Sequence, residues 1–500
     1  MESKTTKRIC SDYWENDMKD ICFFFSDQHS FLQQHYAGDK ILRTPNLDRL
    51  AGEGVAFVNN YTPYPLCVPA RMCLMSGQLA SKCGIMDNAG ILDSSRATFV
   101  HSLNSVGYET VLCGRMHFVG PDQRHGFSKR IAGDITPVFT NRPTEAFRKE
   151  RGVHLDTPTG GAHAVSIIGA GNSPTLEFDR YVVGEALNYL KDSYEKPQFL
   201  CVGTYAPHHP YVAPKELYDY YYERVSGEED VDFPLPPYYE GIFNDKDPMV
   251  VRAVRASYYA LCEFTDMEVG MVYDAFQEYL KRAGHEGIFI YASDHGDQIG
   301  SKGLYGKKTF FEESVHTPLI ITGDGIRKNV RIEGATSLLD LGPTLCDLVG
   351  APIPPLCDGV SLKKQVEEEY DDKERMVISE LGGSYNKKGE IPYAQMVKKG
   401  DLKYLCFNYK DEAVYDISCD KHELDNIADS HQSFCKEARD FLNSKCALYE
   451  TIKERAEWGR INLEITRKCS FDSEERWRAP DCARHYPEEM VSSKKKPQEK

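Results

Sequence analysis

Residues 21–25 read Ile-Cys-Phe-Phe-Phe without a polar break, and Ser26-Asp27-Gln28 follows at once. A run this short and this uniformly apolar offers no face to water. It predicts a strand covered on both sides, the kind that lies inside a parallel sheet flanked by helices. Comparable runs recur. Residues 108–113 lead into Gly114-Arg115-Met116-His117, 199–203 into Pro207-His208-His209-Pro210, and 287–291 into Ser293-Asp294-His295-Gly296-Asp297. Helical spacing over 44–51, 177–194 and 249–282 completes an α/β alternation. The predicted fold class is α/β, a large mostly parallel sheet sandwiched by helices. Ligands of such sheets gather at the carboxyl ends of the strands, where each of these runs turns polar.

The rest of the chain adds smaller features. A short strand is expected over 55–57 and another over 318–322, with an amphipathic helix over 337–350 that has Pro343 inside it. Residues 130–172 have poor periodicity and frequent Gly, Pro and Thr, which predicts a loop region, and 230–247 reads as an acidic, Pro- and Tyr-rich surface excursion. After about Glu367 the pattern changes to short strands (376–379, 393–398, 402–407, 413–417) and a long helix over 432–458. That order predicts a smaller C-terminal α+β domain. The expected division is an N-terminal extension over 1–18, a catalytic domain over 19–367, the smaller domain over 368–465, and a tail over 466–500.

Cys67 stands two residues before Pro69 and four before Arg71, with an apolar helical run behind it. Proline suits the first turn of a helix, so Cys67 is placed at a helix mouth. Unpaired N–H groups and a partial positive charge gather there, and Arg71 adds a fixed cation. The chain as a whole is acidic, with a formal net charge of −16. This argues against nucleic acid or an anionic membrane as partner. A local cationic pocket remains workable, because salt screens the global field beyond about 8 Å. No apolar segment before Asp20 resembles a secretory signal, and sixteen scattered cysteines fit a reducing cytoplasm better than a disulfide scaffold, so the expected location is cytoplasmic.

The clusters occur in the order Asp-Gln, Cys-x-Pro-x-Arg, Gly-Arg-x-His, Pro-His-x-Pro, Asp-His-Gly-Asp and Gly-Lys. This ordered set resembles the type I sulfatases of the alkaline phosphatase superfamily from about Asp20 to Ala428, and 116–127 looks nearest to the branch holding choline sulfatases and phosphonate monoester hydrolases. The resemblance implies an alkaline phosphatase-like fold and a sulfuric ester hydrolase in which Cys67 is oxidised to formylglycine by a maturation enzyme. It also implies a divalent metal held by Asp27, Gln28, Asp294, His295 and the modified residue 67. The mainly hard donor set favours Ca²⁺, with Mn²⁺ or Mg²⁺ as alternatives.

Carried over in the same way, Arg71, Arg115, Asn88, Lys307 and His208 surround the sulfate. One hydroxyl of the hydrated aldehyde attacks sulfur, His208 and Lys307 serve the departing oxygen, and His117 removes the proton of the second hydroxyl so that sulfate is expelled. Two departures matter. Arginine at 115 stands where the family usually has lysine, which suits binding rather than proton delivery. Choline would call for an aromatic cage, yet the tryptophans are Trp14, Trp458 and Trp477, so choline sulfate is not favoured.

The expected substrate is a sulfate monoester of a small organic or sugar alcohol. The alternatives are a phosphonate monoester or phosphodiester hydrolase on the same scaffold, or a non-catalytic anion-binding protein. His154 and His163 are candidates for reading the alcohol. The tail leaves room for a homo-oligomer.

Overall fold

In the computed structural model the described residues are 19–136, 164–228, 239, 245–383, 389–408, 411–467 and 490–491. The run at 21–25 lies in the strand Asp20–Asp27, every residue of which is buried. It pairs in parallel with Gln198–Pro207 on one side and Gly287–Ser293 on the other. This strand is central to an eight-stranded sheet. From one edge the order is Val330–Ile332, Gly54–Phe57, Leu319–Gly323, Gly287–Ser293, Asp20–Asp27, Gln198–Pro207, Glu109–Gly114 and Lys129–Ala132. Only Leu319–Gly323 runs against its neighbours.

The pleat explains why the run has no polar break. Ile21, Phe23 and Phe25 enter one core with Val68, Met72 and Leu341, from the helices Cys67–Ser76 and Leu341–Leu348. Cys22 and Phe24 enter the opposite core with Leu47, Phe178 and Val269, from Pro45–Glu53, Pro174–Tyr189 and Pro248–Ala283. Successive side chains point to opposite faces, and both faces are covered by helices.

A four-stranded antiparallel sheet follows: Met376–Gly382, Tyr393–Lys399, Leu402–Phe407 and Asp411–Asp416, in sequential order. It docks beside the Cys67 segment. The N–H of Glu380 donates to the carbonyl of Pro63 (2.9 Å), and the Tyr64 hydroxyl donates to the carbonyl of Gly382 (2.8 Å) and accepts from its N–H (2.9 Å).

Four expectations need correction. The helix foreseen over 432–458 is two helices, Gln432–Lys445 and Tyr449–Arg467. At the break the backbone turns to another partner, and the N–H of Ala447 donates to Ser81 Oγ (3.1 Å). The amphipathic segment at 337–350 begins with a short 3₁₀ turn, so the α-helix is only Leu341–Leu348 and Pro343 falls in its first turn, where its missing N–H costs nothing. Strands Lys129–Ala132 and Ile168–Ala170 bound the region read as loop. In the segment read as a surface excursion, Tyr239 is buried and its hydroxyl accepts the N–H of Phe310 (2.6 Å). The N-terminal extension, His154, His163, Trp14, Trp477 and most of the tail lie outside the described residues.

Candidate active site

The carboxyl ends of four parallel strands converge, as the topology demands. Asp27 closes the central strand, Asp294 and His295 follow Gly287–Ser293, Arg115 and His117 follow Glu109–Gly114, and His208 follows Gln198–Pro207. Cys67 meets them as the first residue of the helix Cys67–Ser76, with Pro69 in its first turn. The cysteine Sγ lies 3.2 Å from His295 Nε2 and 3.8 Å from Asp27 Oδ1. Ligand atoms of Asp27, Cys67, Asp294 and His295 all fall within 4.8 Å of one another, and all four residues are buried.

Two buried carboxylates this close need compensation, and two arginines supply it. Arg71 Nε donates to Asp294 Oδ2 (2.8 Å) and its NH2 group to Asp27 Oδ2 (3.0 Å). Arg115 Nε donates to the same Asp27 oxygen (2.6 Å). Burial pushes the Asp27 carboxyl up, but Arg115 and Arg71 hold it well below the usual carboxylate range. In His295 burial opposes the charged ring, yet Asp294 and Cys67 raise its pKa above the ordinary value. Burial and Asp27 oppose the Cys67 thiolate, while Lys307 and His295 favour it and leave the thiol below its ordinary pKa.

The arginines differ from expectation in how their donors are used. Both are almost wholly enclosed, and their donors meet acceptors within the protein. Arg115 also donates from NH1 to Thr136 Oγ1 (2.9 Å) and Asp134 Oδ1 (3.3 Å), and from NH2 to His117 Nδ1 (2.8 Å). Arginine has no acceptor, so the lone pair of His117 lies on Nδ1 and the proton of the neutral ring on Nε2. Burial and Arg115 keep this ring well below the ordinary imidazole pKa. Asp134 completes the arrangement by accepting the N–H of His117 (2.9 Å).

Across the site, Lys307 Nζ donates to His208 Nε2 (2.6 Å) and to Gln28 Oε1 (2.5 Å). His208 Nδ1 donates to the carbonyl of His209 (2.5 Å), which fixes its neutral tautomer. Burial, His209 and Lys307 all depress its pKa well below the ordinary value. The Gln28 amide is oriented by its partners, Nε2 donating to Asp297 and Oε1 accepting from the lysine. Gln28 thereby joins the two sides of the site: its amide meets Lys307 and Asp297, and its backbone N–H donates to Asp294 Oδ1 (3.0 Å) in the four-residue cluster. Asn88 Oδ1 accepts the N–H of Val68 (3.1 Å), which caps the Cys67 helix.

Asp134 and Asp297 are site residues to which sequence reasoning gave no role. Asp297 is buried and accepts from Tyr211, Gln28 and the N–H of Gly306 (2.8 Å), so it anchors the turn that carries Lys307. Its place in Asp294-His295-Gly296-Asp297 was a usable signal, whereas Asp134 sat in a stretch read as loop.

The arrangement offers a nucleophile position at a helix mouth, a buried acidic cluster suited to a divalent cation, a neutral histidine on either side, and one half-buried lysine. The chain as a whole is similar to known proteins. The sequence pattern of the Sulfatase family matches residues 19–351, and that of the N-sulphoglucosamine sulphohydrolase C-terminal family matches 300–446. A choline-sulfatase of Rhizobium meliloti (strain 1021) is 33% identical over 420 residues, spanning 78% of each chain. An arylsulfatase of Clostridium perfringens (strain 13 / Type A) is 28% identical, over 81% of this chain and 89% of its own. The crystal structure of the phosphonate monoester hydrolase of Agrobacterium radiobacter superposes with a TM-score of 0.66 at 21% identity, over 90% of this chain and 96% of that one.

Proposed function

The chain belongs to the sulfatase family and is a sulfuric ester hydrolase, and we propose that its substrate is a sulfate monoester of a small organic or sugar alcohol cleaved at residue 67. The observation that carries this reading is the placement of Cys67 at a helix mouth, within 3.2 Å of His295 and beside Asp27. The reading takes Cys67 as the precursor of formylglycine, made by a maturation enzyme, because a thiol cannot release sulfate by carbon–oxygen cleavage as a geminal diol can.

The donor set fits a divalent cation. Asp27, Asp294, His295 and an oxygen at residue 67 form a mainly hard group, for which Ca²⁺ is our first choice and Mg²⁺ or Mn²⁺ the alternatives. When bound, such a cation lowers the pKa of an oxygen nucleophile and offsets charge on the sulfate oxygens. Gln28 would join the ligands only by sharing its oxygen with Lys307. Arg71 and Arg115 hold the outer oxygens of Asp27 and Asp294, and so orient the two carboxylates toward the cluster.

Lys307 is the proton carrier for the departing alcohol oxygen. Its partner His208 has only the Nε2 lone pair to offer and is held neutral, so the positive charge rests on the lysine. His117 serves as the base at the second hydroxyl. For that, its Nδ1 must part from Arg115, or the ring must change tautomer. Sixteen cysteines scattered through the sequence without the spacing of a disulfide scaffold support a reducing compartment such as the cytoplasm.

Matched phenyl sulfate and phenyl phosphonate esters test the proposal. Faster turnover of the sulfate is expected; faster turnover of the phosphonate would move the chain to the alternative reading.

A further inference from the structure

Away from the cluster around Cys67, the described residues bury a second group of charges where the C-terminal sheet meets the first domain. Glu312 opens the short helix that follows the Lys307 loop. Its Oε1 accepts from Lys403 Nζ (2.8 Å), its Oε2 from the Tyr61 hydroxyl (3.0 Å), and Oε2 also lies 3.0 Å from His316 Nδ1. Lys403 belongs to the strand Leu402–Phe407 and pairs as well with Glu423 Oε2 (2.9 Å). Glu423 in turn accepts the backbone N–H of Glu312 through Oε1 (2.9 Å). The side chains of Lys403 and Glu423 are at most 1% exposed and that of Glu312 is 6% exposed.

The position of this group matters more than its strength. Tyr61 is in the strand that leads into the Cys67 segment, and Glu312 closes the segment that carries Lys307. The two segments also touch directly, the N–H of Lys308 donating to the carbonyl of Pro65 (3.2 Å). Glu312 therefore links both walls of the site, and one lysine from the other sheet holds Glu312 through its second carboxylate oxygen. Buried pairs of this kind need not add net stability; what this one supplies is a link between three elements of the fold.

We propose that Lys403 is a positioning residue for catalysis: through Glu312 and Glu423 it sets the approach of the Lys307 loop to the residue 67 segment. The proposal rests on the reading of Lys307 as the group that serves the departing oxygen. Burial raises the Glu423 carboxyl to about 7, and Lys403 pulls it back down.

The test uses full-length protein, wild type against Lys403→Met, with Lys403→Arg as the conservative variant. First, kcat is measured over a series of aryl and alkyl sulfates whose alcohols span a range of pKa. A misplaced Lys307 hurts poor leaving groups most, so Lys403→Met should lose about tenfold or more on alkyl sulfates and about twofold or less on 4-nitrophenyl sulfate. Lys403→Arg should recover most of that loss. Second, hydrogen exchange by mass spectrometry should speed up in the peptide covering 303–311 and stay unchanged in 198–203. If Lys403→Met does not fold, Glu423→Gln is measured and should move both readouts in the same direction.

A uniform fall in kcat across the series, an unchanged leaving-group dependence, or unchanged exchange in 303–311 would overturn the proposal. Wild-type protein that turns over no sulfate ester would overturn the sulfatase reading instead, and the exchange measurement would still judge the link.

Discussion

Arg71 and Arg115 converge on a single oxygen, Oδ2 of Asp27, at 3.0 and 2.6 Å. That leaves Oδ1 of Asp27 turned to Cys67 and His295. The charge of the buried carboxylate is thus balanced from behind, and its other oxygen is presented to the cluster. The acidic centre is built to persist whether or not a cation occupies it.

Removal of the metal should accordingly abolish turnover without unfolding the chain. After dialysis against a chelator, the far- and near-ultraviolet circular dichroism should be retained and Ca²⁺, Mg²⁺ or Mn²⁺ should restore activity. Loss of tertiary signal on chelation would show that the arginines do not compensate the carboxylates.

Lys307→Ala removes the residue proposed as proton carrier and leaves His208 without its donor. The expected loss in kcat is about 10²- to 10⁴-fold for alkyl sulfates and smaller for esters with acidic alcohols. Steady-state rates over a leaving-group series check this, and an equal loss on all esters would place the lysine elsewhere in the reaction.

His117→Asn should slow sulfate release more than alcohol release. Rapid-mixing experiments would then show a burst of alcohol followed by slow turnover. Equal slowing of both products would remove His117 from the second step.

The pH dependence follows from the neutral histidines. Burial and Arg115 depress His117, and burial with His209 and Lys307 depresses His208, both well below 6.5. The neutral forms needed for the reaction therefore persist on acidification, and the acid limb of kcat/KM should lie below pH 6.5. The same groups link pH to stability. Below 6.5 the unfolded chain binds protons that the folded chain refuses, so their contribution to stability is lost as pH falls from 6.5 toward the folded values. Raised groups such as Glu423 and His295 act in the opposite sense, so the contribution is isolated by difference: in denaturant titrations at pH 7.5 and 5.5 the wild type should lose more midpoint on acidification than His117→Asn does, and an equal or smaller loss would reverse the assignment.

Asp134→Ala should cost about 3 kcal/mol, because it strips a buried partner from Arg115 and the N–H acceptor from His117. Asp134→Asn, which keeps an acceptor, should cost less. Chemical denaturation measures both, and equal costs would show that only packing matters there.

Much of this site can be read in the sequence because parallel strands end in what they present. The apolar runs at 21–25, 199–203 and 287–291 each stop at a polar group, and the fold brings those groups to one edge. Cys67, Pro69 and Arg71 carry their own local signal in the helix start. What the sequence does not display is pairing across long separations. That Arg71 and Arg115 spend their donors on Asp27, or that Lys403 answers Glu312, depends on which elements become neighbours. The break near Cys446 is of the same type. No glycine or proline marks it, and the partner met there, Ser81, lies in another part of the chain.

The proposed chemistry depends on an aldehyde at residue 67. The mass of the peptide that carries it should be measured in protein whose sulfate release from an ester has been recorded. The expected result is a peptide without the cysteine sulfur, bearing an aldehyde or its hydrate, in proportion to the activity of the preparation. A fully active preparation whose residue 67 is an intact thiol would contradict the account.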